Sequence, residues 1–266
     1  MSADLQQTPQ PPAIALVVAL SIEAGGILDR MSSVVTTQCA HHQEHVGRLG
    51  QHKVLLVEAG VGQAAAGRAT QDTIGLYRPR GILSVGFSGS LSPDLGLHQI
   101  LMPESVVAPE RPALHVGFEP SNSLVAGHPT MHRGRLVTVD HLVRTPDERS
   151  ALARAHDAIA CDMETYAVAH ACQVARIPFL SVRIISDTFD QSLPPEIATL
   201  LQQKTAAARW GAAAGVLFRN PKRIQDLWQL REQAISATDR LAQFLEELLP
   251  SVFGPSMNLQ AKGQQE

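Results

Sequence analysis

The sequence predicts an α/β protein, a three-layer α/β/α sandwich with a central mixed, largely parallel sheet. Three observations carry this. Ala13–Leu20 (AIALVVAL) is a continuous apolar run of strand length, as expected of a strand buried on both faces. Strand-like runs alternate with helix-like segments along most of the chain. The stretch Asp157 to Asp190 (DAIACDMETYAVAHACQVARIPFLSVRIISDTFD) reads as strand, helix, strand, loop, the order of a parallel crossover.

The elements follow in order. Residues 1–12 are polar and rich in Pro and Gln, and are expected to be a disordered lead-in. After Ala13–Leu20, Ser21 can cap a short helix over Ile22–Met31 that carries Glu23 in its first turn. Val34–His52 is polar and His-rich, with His41, His42, His45 and His52, and suits an exposed hairpin. Glu44 is its one acidic residue and fixed ligand spacing is missing, so no metal site is expected. Lys53–Glu58 is a strand that runs through Ala59-Gly60-Val61-Gly62-Gln63 into an Ala-rich helix ending near Tyr77. Such a loop can cradle phosphate or ribose with backbone N–H groups, or can serve only as a tight turn. It is not a dinucleotide fingerprint, because Ala65 stands where the third glycine belongs.

Gly81–Val85 is a buried strand ending in the small-residue segment Gly86-Phe87-Ser88-Gly89-Ser90. Ile100–Val107 is a further strand, Pro109–Met131 an irregular insert, and Arg135–Val139 another strand. Asp140–Thr145 leads to a helix from Pro146 to about Ala155. Ala158–Cys161 is a short strand, and the helix Met163–Ala175 is expected to bury Met163, Ala167, His170, Ala171 and Val174. Pro178 precedes the strand Phe179–Ile185. Two helices close the chain, Ile197–Phe218 and Ile224–Leu249. The second has Leu227, Leu230, Ala234, Leu241, Phe244, Leu245 and Leu248 on one side, for packing on the body or on a partner subunit. The expected organisation is one α/β domain over 13–218, a C-terminal helical extension over 219–250 and a loose tail over 251–266.

Composition narrows the class. With 44% hydrophobic residues the 266-residue chain can bury a large core, and its net charge of −3 supplies no field for nucleic acid. The three cysteines, Cys39, Cys161 and Cys172, lack metal-ligand spacing, and their odd number suits a reducing, cytoplasmic compartment. No run is long and apolar enough for a membrane span.

Chemistry is expected where strands end. In open α/β sheets ligands bind outside the carboxyl ends of strands. Glu23, Glu164 and Asp187 each follow such an end. Singly, each could equally be a helix-dipole acid or a turn residue.

Together these positions resemble the nucleoside phosphorylase/nucleosidase superfamily. The similarity extends to the methylthioadenosine/adenosylhomocysteine nucleosidases, whose Met-Glu after a strand is similar to Met163-Glu164. Their Arg-x-x-Ser-Asp is matched by Arg183-Ile184-Ile185-Ser186-Asp187, and their early acidic residue by Glu23. The hopanoid-associated branch is the most similar, through Asp162-Met163-Glu164, Val182 to Asp187, Leu193-Pro194-Pro195 and the helix after Pro221.

The resemblance implies N-glycosidic cleavage of an adenine nucleoside without a cofactor; inorganic phosphate would enter only if the reaction were phosphorolytic. It implies Asp187 as the acid that protonates the purine, Glu23 as the group polarising water, and Arg183 steadying Glu23. Glu164 would bind ribose hydroxyls, with Met163, Phe87, Ser88, Gly89, Leu142, Val143 and Ser186 as further substrate contacts. Three positions depart from the family pattern: Phe87 stands in a small polar segment, Leu142 (followed by Val143) where an aromatic residue is usual, and His98-Gln99 where Gly-Asp is usual; the first two make the surroundings apolar. These fit a bulky hydrophobic 5′ group of the adenosylhopane type. Alternatives are a methylthioadenosine/adenosylhomocysteine nucleosidase, a purine nucleoside phosphorylase, or a nucleoside-binding protein without turnover. The expected partners are a small-molecule nucleoside, a second copy of the chain in a homodimer, and transient contact with a membrane through Arg219 to Arg223.

Overall fold

The computed structural model describes residues 14–117, 120–194 and 223–253, with the side chains of the last segment described from residue 232. The expected lead-in, the helix over Ile197–Phe218 and the tail beyond residue 253 lie outside the described residues.

The apolar run at the start forms β1 (Ile14–Val18), all five residues buried. It pairs in parallel with β4 (His52–Glu58) on one side and β5 (Gly81–Ser90) on the other. Its two faces feed two cores. Ile14, Leu16 and Val18 face one cluster, and Ala15 and Val17 face another. That division is why the run is continuous rather than alternating. On the first face lie α1 (Ser21–Leu28) and the long C-terminal helix α6 (Arg223–Phe253). On the second lie α2 (Gln63–Tyr77) and α5 (Thr165–Ala175), through Ala66, Ala69, Val168 and Cys172. The result is the three-layer sandwich.

The sheet is mixed. β10 (Phe179–Asp187) runs parallel to β5, extending the parallel centre β4-β1-β5-β10. The hairpin β2 (Met31–Gln38) and β3 (Gln43–Leu49) continues antiparallel from β4 to the edge, where β2 is almost wholly exposed. At the other flank the sheet closes on itself. β10 pairs antiparallel with β6 (Ile100–Val107), and β6 pairs in parallel with β8 (Met131–Thr138). β8 then pairs in parallel with β9 (Ala160–Asp162), and β9 returns antiparallel to the end of β5 through Gly89 and Ser90. The Pro109–Met131 insert holds the short β7 (Leu114–His115) and α3 (Asn122–Gly127), and α4 spans Pro146–His156.

Several boundaries differ from the sequence reading for identifiable reasons. Helix α1 stops at Leu28 because Met31 already pairs with Leu49 in the hairpin. Strand β5 does not end at Val85. It runs through the small residues to Ser90, which lets β9 pair with it. Helix α5 starts at Thr165 and buries Thr165, Tyr166, Val168, Ala169, Ala171 and Cys172, whereas His170 is exposed and Val174 is 73% exposed. Glu164 therefore sits at the N-cap rather than inside the helix, and the buried stripe is rotated from the expected one. The expected C-terminal extension contains most of α6. Ala237, Leu241, Phe244, Leu245 and Leu248 of this helix lie within the main core, so its apolar side packs on the body.

Candidate active site

The carboxyl ends of β1, β5, β8, β9 and β10 surround a cavity of about 250 Å³. Glu23, Phe87, Ser88, Gly89, Leu142, Val143, Met163, Glu164, Ser186 and Asp187 all line it. Ten of the expected site residues are thus brought together; Arg183 lies beneath the wall rather than in it. Val61 from the glycine loop, Asp162, Leu193 and Ala234 of α6 complete much of the rest.

Glu23 sits in the first turn of α1, and its carboxylate is gripped by backbone. Oε2 accepts from the N–H groups of Ala19 and Leu20 at 2.9 and 2.8 Å, and Oε1 accepts from that of Phe87 at 2.7 Å. Three fixed donors hold the group where β1 and β5 end. Burial nevertheless raises its pKa above the ordinary 4.5, outweighing those hydrogen bonds and the nearby Arg183 charge. Gly86 makes this arrangement possible. A Cβ there would collide with Glu23 Oε1 and lie 2.6 Å from Arg183 Nη1.

Glu164 is positioned from two sides. Its backbone carbonyl accepts from the Ala167 and Val168 N–H groups at the N-cap of α5, and its Oε1 accepts the Gly62 N–H at 2.7 Å. The loop that could have cradled a phosphate instead turns a backbone donor onto a carboxylate. Gly60 and Gly62 both take positive φ, 87° and 94°, which glycine adopts freely. Burial, then the Asp162 charge, pushes the Glu164 pKa upward, with Arg183 opposing.

Arg183 projects from β10 and is 2% exposed. Its ion pair is with Asp162, Nη2 to Oδ2 at 2.9 Å, and it also donates to Ser84 Oγ and Thr165 Oγ1, each at 2.5 Å. Asp162 further accepts from Thr138 Oγ1 at 2.6 Å and from the Thr165 N–H at 3.0 Å. Arg183 thus favours the Glu23 carboxylate as a charge at longer range rather than by direct contact, while its ion pair with Asp162 braces the floor beside Glu164.

Asp187 ends β10. Its Oδ1 accepts the Ser186 hydroxyl at 2.6 Å. Its Oδ2 is paired at 2.5 Å with Arg149 Nη2, and Arg149 is completely buried. Arg149 comes from α4, where Pro146 and a Thr145–Glu148 capping box fix the helix start. It also donates to the carbonyls of Ser90 at 3.1 Å and Val143 at 3.4 Å, so it ties three walls of the cavity together. A Cβ at Gly89 would lie 2.8 Å from Asp187 Oδ2 and 2.9 Å from Arg149 Nη1, so only glycine admits the pair.

Residues 13–217 match the phosphorylase superfamily. The chain belongs to that family. Among its similar members is the 5′-methylthioadenosine/S-adenosylhomocysteine nucleosidase of Tolumonas auensis, 23% identical over 211 residues, covering 71% of this chain and 92% of the relative. The Staphylococcus haemolyticus protein of the same name is 24% identical, over 65% of this chain and 86% of its own. Among solved structures, a Helicobacter pylori nucleosidase variant with 5′-methylthioadenosine in its active site superposes with a TM-score of 0.68 at 18% identity, over 91% of this chain and 99% of that one. Futalosine hydrolase of Helicobacter pylori gives 0.67 at 18% identity, over 90% and 97%. At these identities the superpositions establish a shared fold.

For a phosphorylase-superfamily chain, the sequence reading missed Arg149 among the residues that shape the site. Its one sequence signal is an arginine in the first turns of a helix that starts just past a strand end, which is also where ordinary surface arginines sit. Asp162 was legible only as part of the Asp162-Met163-Glu164 motif, and Ala234 only as one member of an apolar stripe.

Proposed function

We propose that this protein hydrolyses the N-glycosidic bond of an adenine nucleoside. The observation that carries the reading is the convergence of Glu23, Glu164 and Asp187 on one cavity with distinct surroundings. Rupture of the C1′–N9 bond leaves positive character on the ribose and an electron pair on the purine. Asp187 supplies the proton the purine takes up, at N7 by analogy with the family. With Oδ2 committed to Arg149, Oδ1 beside the Ser186 hydroxyl is the oxygen left to carry that proton. Glu164, held by Gly62, accepts ribose hydroxyls and fixes the sugar. Glu23 takes the proton of the water whose oxygen bonds to C1′, and its raised pKa brings it toward the range useful to a general base. Two carboxylates flanking the ribose also favour its developing positive charge.

Hydrolysis is favoured over phosphorolysis because, among the described residues lining the cavity, His141 is the one side chain that could carry a positive charge toward a phosphate. Among the described residues lining it none is Lys or Arg. Arg30 is paired with Glu246, and Arg68 is exposed on α2.

The finer part of the reading is the substrate. Phe87, Leu142, Val143, Val61, Leu193 and Ala234 give the cavity an apolar wall. This supports an adenine nucleoside with a bulky hydrophobic 5′ group of the adenosylhopane type. A cavity of about 250 Å³ accommodates little beyond the nucleoside, so most of such a hydrocarbon would extend through the mouth. The same volume, with the names of the relatives, supports a second reading, a methylthioadenosine/adenosylhomocysteine nucleosidase. Among the described residues no helix is long and apolar enough to cross a membrane, and Arg219 to Lys222 of the expected membrane-contact stretch lie outside the described residues.

The test is adenine release from adenosine, methylthioadenosine, adenosylhomocysteine and an adenosine with a long apolar 5′ group, with and without phosphate. Phosphate-independent release supports the hydrolase, and rank order among the substrates chooses between the readings. Tight nucleoside binding without release would make it a binding protein.

A further inference from the structure

Away from the catalytic cavity, the turn between β2 and β3 gathers groups the reaction does not use. Cys39, His42 and Glu44 each present a donor atom, and these atoms all lie within 4.8 Å of one another. Glu44 is 3% exposed and His42 is 6% exposed. Two residues separate Cys39 from His42, a short ligand spacing that becomes meaningful only with Glu44 beside it. The tight turn, closed by the Cys39 N–H donating to the His42 carbonyl at 3.0 Å, folds them together.

Two features go beyond proximity. The His42 ring is buried, yet its Nδ1 has no hydrogen-bond partner. That nitrogen stands 3.8 Å from Asp72 Oδ2, a half-exposed carboxylate presented by α2. A buried ring nitrogen left unpaired costs free energy, and a small movement of Asp72 would let it accept the Nδ1 proton once Nε2 is taken up by a metal. The charges also lean one way. Glu44 is satisfied by His42 Nε2 at 3.0 Å and the Tyr77 hydroxyl at 2.5 Å, and Asp72 adds a second carboxylate on the other side of the ring.

We propose that Cys39, His42 and Glu44 form a binding site for a divalent cation of the zinc class on the Nε2 side of the ring, with Asp72 on the Nδ1 side placed to accept the proton of the nitrogen that does not bind the metal and so to orient the ring. Thiolate, imidazole and carboxylate together are a zinc-type donor set. Tetrahedral zinc sets its donors about 3.5 Å apart, so the cluster must contract by roughly 1 Å through side-chain rotation. The thiol proton leaves to solvent as the thiolate binds. The site is structural, since none of its residues lines the cavity. It ties the exposed edge hairpin to α2, beside the Tyr77 contact that already joins them.

The experiment uses the full chain without a histidine tag, stripped with EDTA and titrated with cobalt(II) and zinc. One equivalent bound, a near-ultraviolet thiolate-to-cobalt charge-transfer band bleached by zinc, and a zinc-dependent rise in Tm of about 4 °C or more support the site. Cys39→Ser should abolish the band, and His42→Gln should weaken binding by more than the roughly 10–100-fold that residues merely orienting a ligand contribute. Asp72→Asn, on the exposed side of α2, serves as the variant least able to disturb folding and should weaken zinc at least several-fold. Absence of the band in the folded wild type, or zinc binding equal in wild type and Cys39→Ser, overturns the proposal.

Discussion

Asp187→Asn tests the site twice, because the carboxylate is both the proposed acid and the partner of a fully buried guanidinium. The amide cannot deliver a proton in the same way. Turnover should fall ~100-fold or more, equivalent to about 2.7 kcal/mol of barrier. The amide also leaves Arg149 without a counter-charge in a place where its side chain is 0% exposed. Breaking one partner of a buried ion pair typically costs about 3–5 kcal/mol. At roughly 2–4 °C per kcal/mol for a domain of this size, the Tm should drop by about 6–20 °C. Arg149→Met should cost a similar amount by stranding Asp187. The double variant should cost markedly less than the two singles together, because no unpaired charge remains buried. Adenine release measured at a temperature where every variant is folded separates chemistry from stability, and thermal or urea unfolding gives the cycle. Near-wild-type release by Asp187→Asn refutes the acid assignment. Strict additivity of the two stability losses refutes the buried pair.

Glu23→Gln should lower kcat at least ~10-fold with little change in KM, whereas Glu164→Gln should harm both, since ribose contacts act in ground and transition states; steady-state kinetics on one adenine nucleoside distinguishes them. Burial raises the pKa of both groups above 4.5 and the reaction needs both ionised, so the acidic limb of kcat/KM should lie above pH 4.5; a profile flat down to that pH would exclude them. The same shifts have a stability sign. The folded state holds these protons to higher pH than the unfolded chain does, so their contribution to stability falls as pH rises from 4.5 through the raised values, visible in urea unfolding. Phe87→Ala should cost ~10-fold in kcat/KM for a nucleoside with an apolar 5′ group and leave adenosine nearly unaffected, and an equal loss on both would remove Phe87 from substrate selection.

What could be read from the sequence was whatever local order determines. A continuous apolar run fixes a strand buried on both faces, and the strand-helix-strand order from Asp157 to Asp190 brings Glu164 and Asp187 to one sheet edge whatever the rest of the chain does. Glu23 followed for the same reason. What could not be read depends on register between distant segments. That β5 pairs with β9 at Gly89 and Ser90, and with β10 as far as Asp187, is a long-range choice, and the β5–β10 register is what sets Gly89 against Asp187. The buried face of α5 is set by which sheet residues it meets, so the apolar pattern selected His170 and Val174 while packing selected Val168 and Ala169. Arg149 is the sharpest case. Its composition argues for the surface, and only the placement of α4 against the end of β10 turns a charged helix residue into a buried anchor. The parts of the site nearest the chemistry were therefore legible as residues, and the parts that hold them were not. A carboxylate at a strand end is a local fact, whereas the group that neutralises it arrives from an element whose position no local pattern encodes.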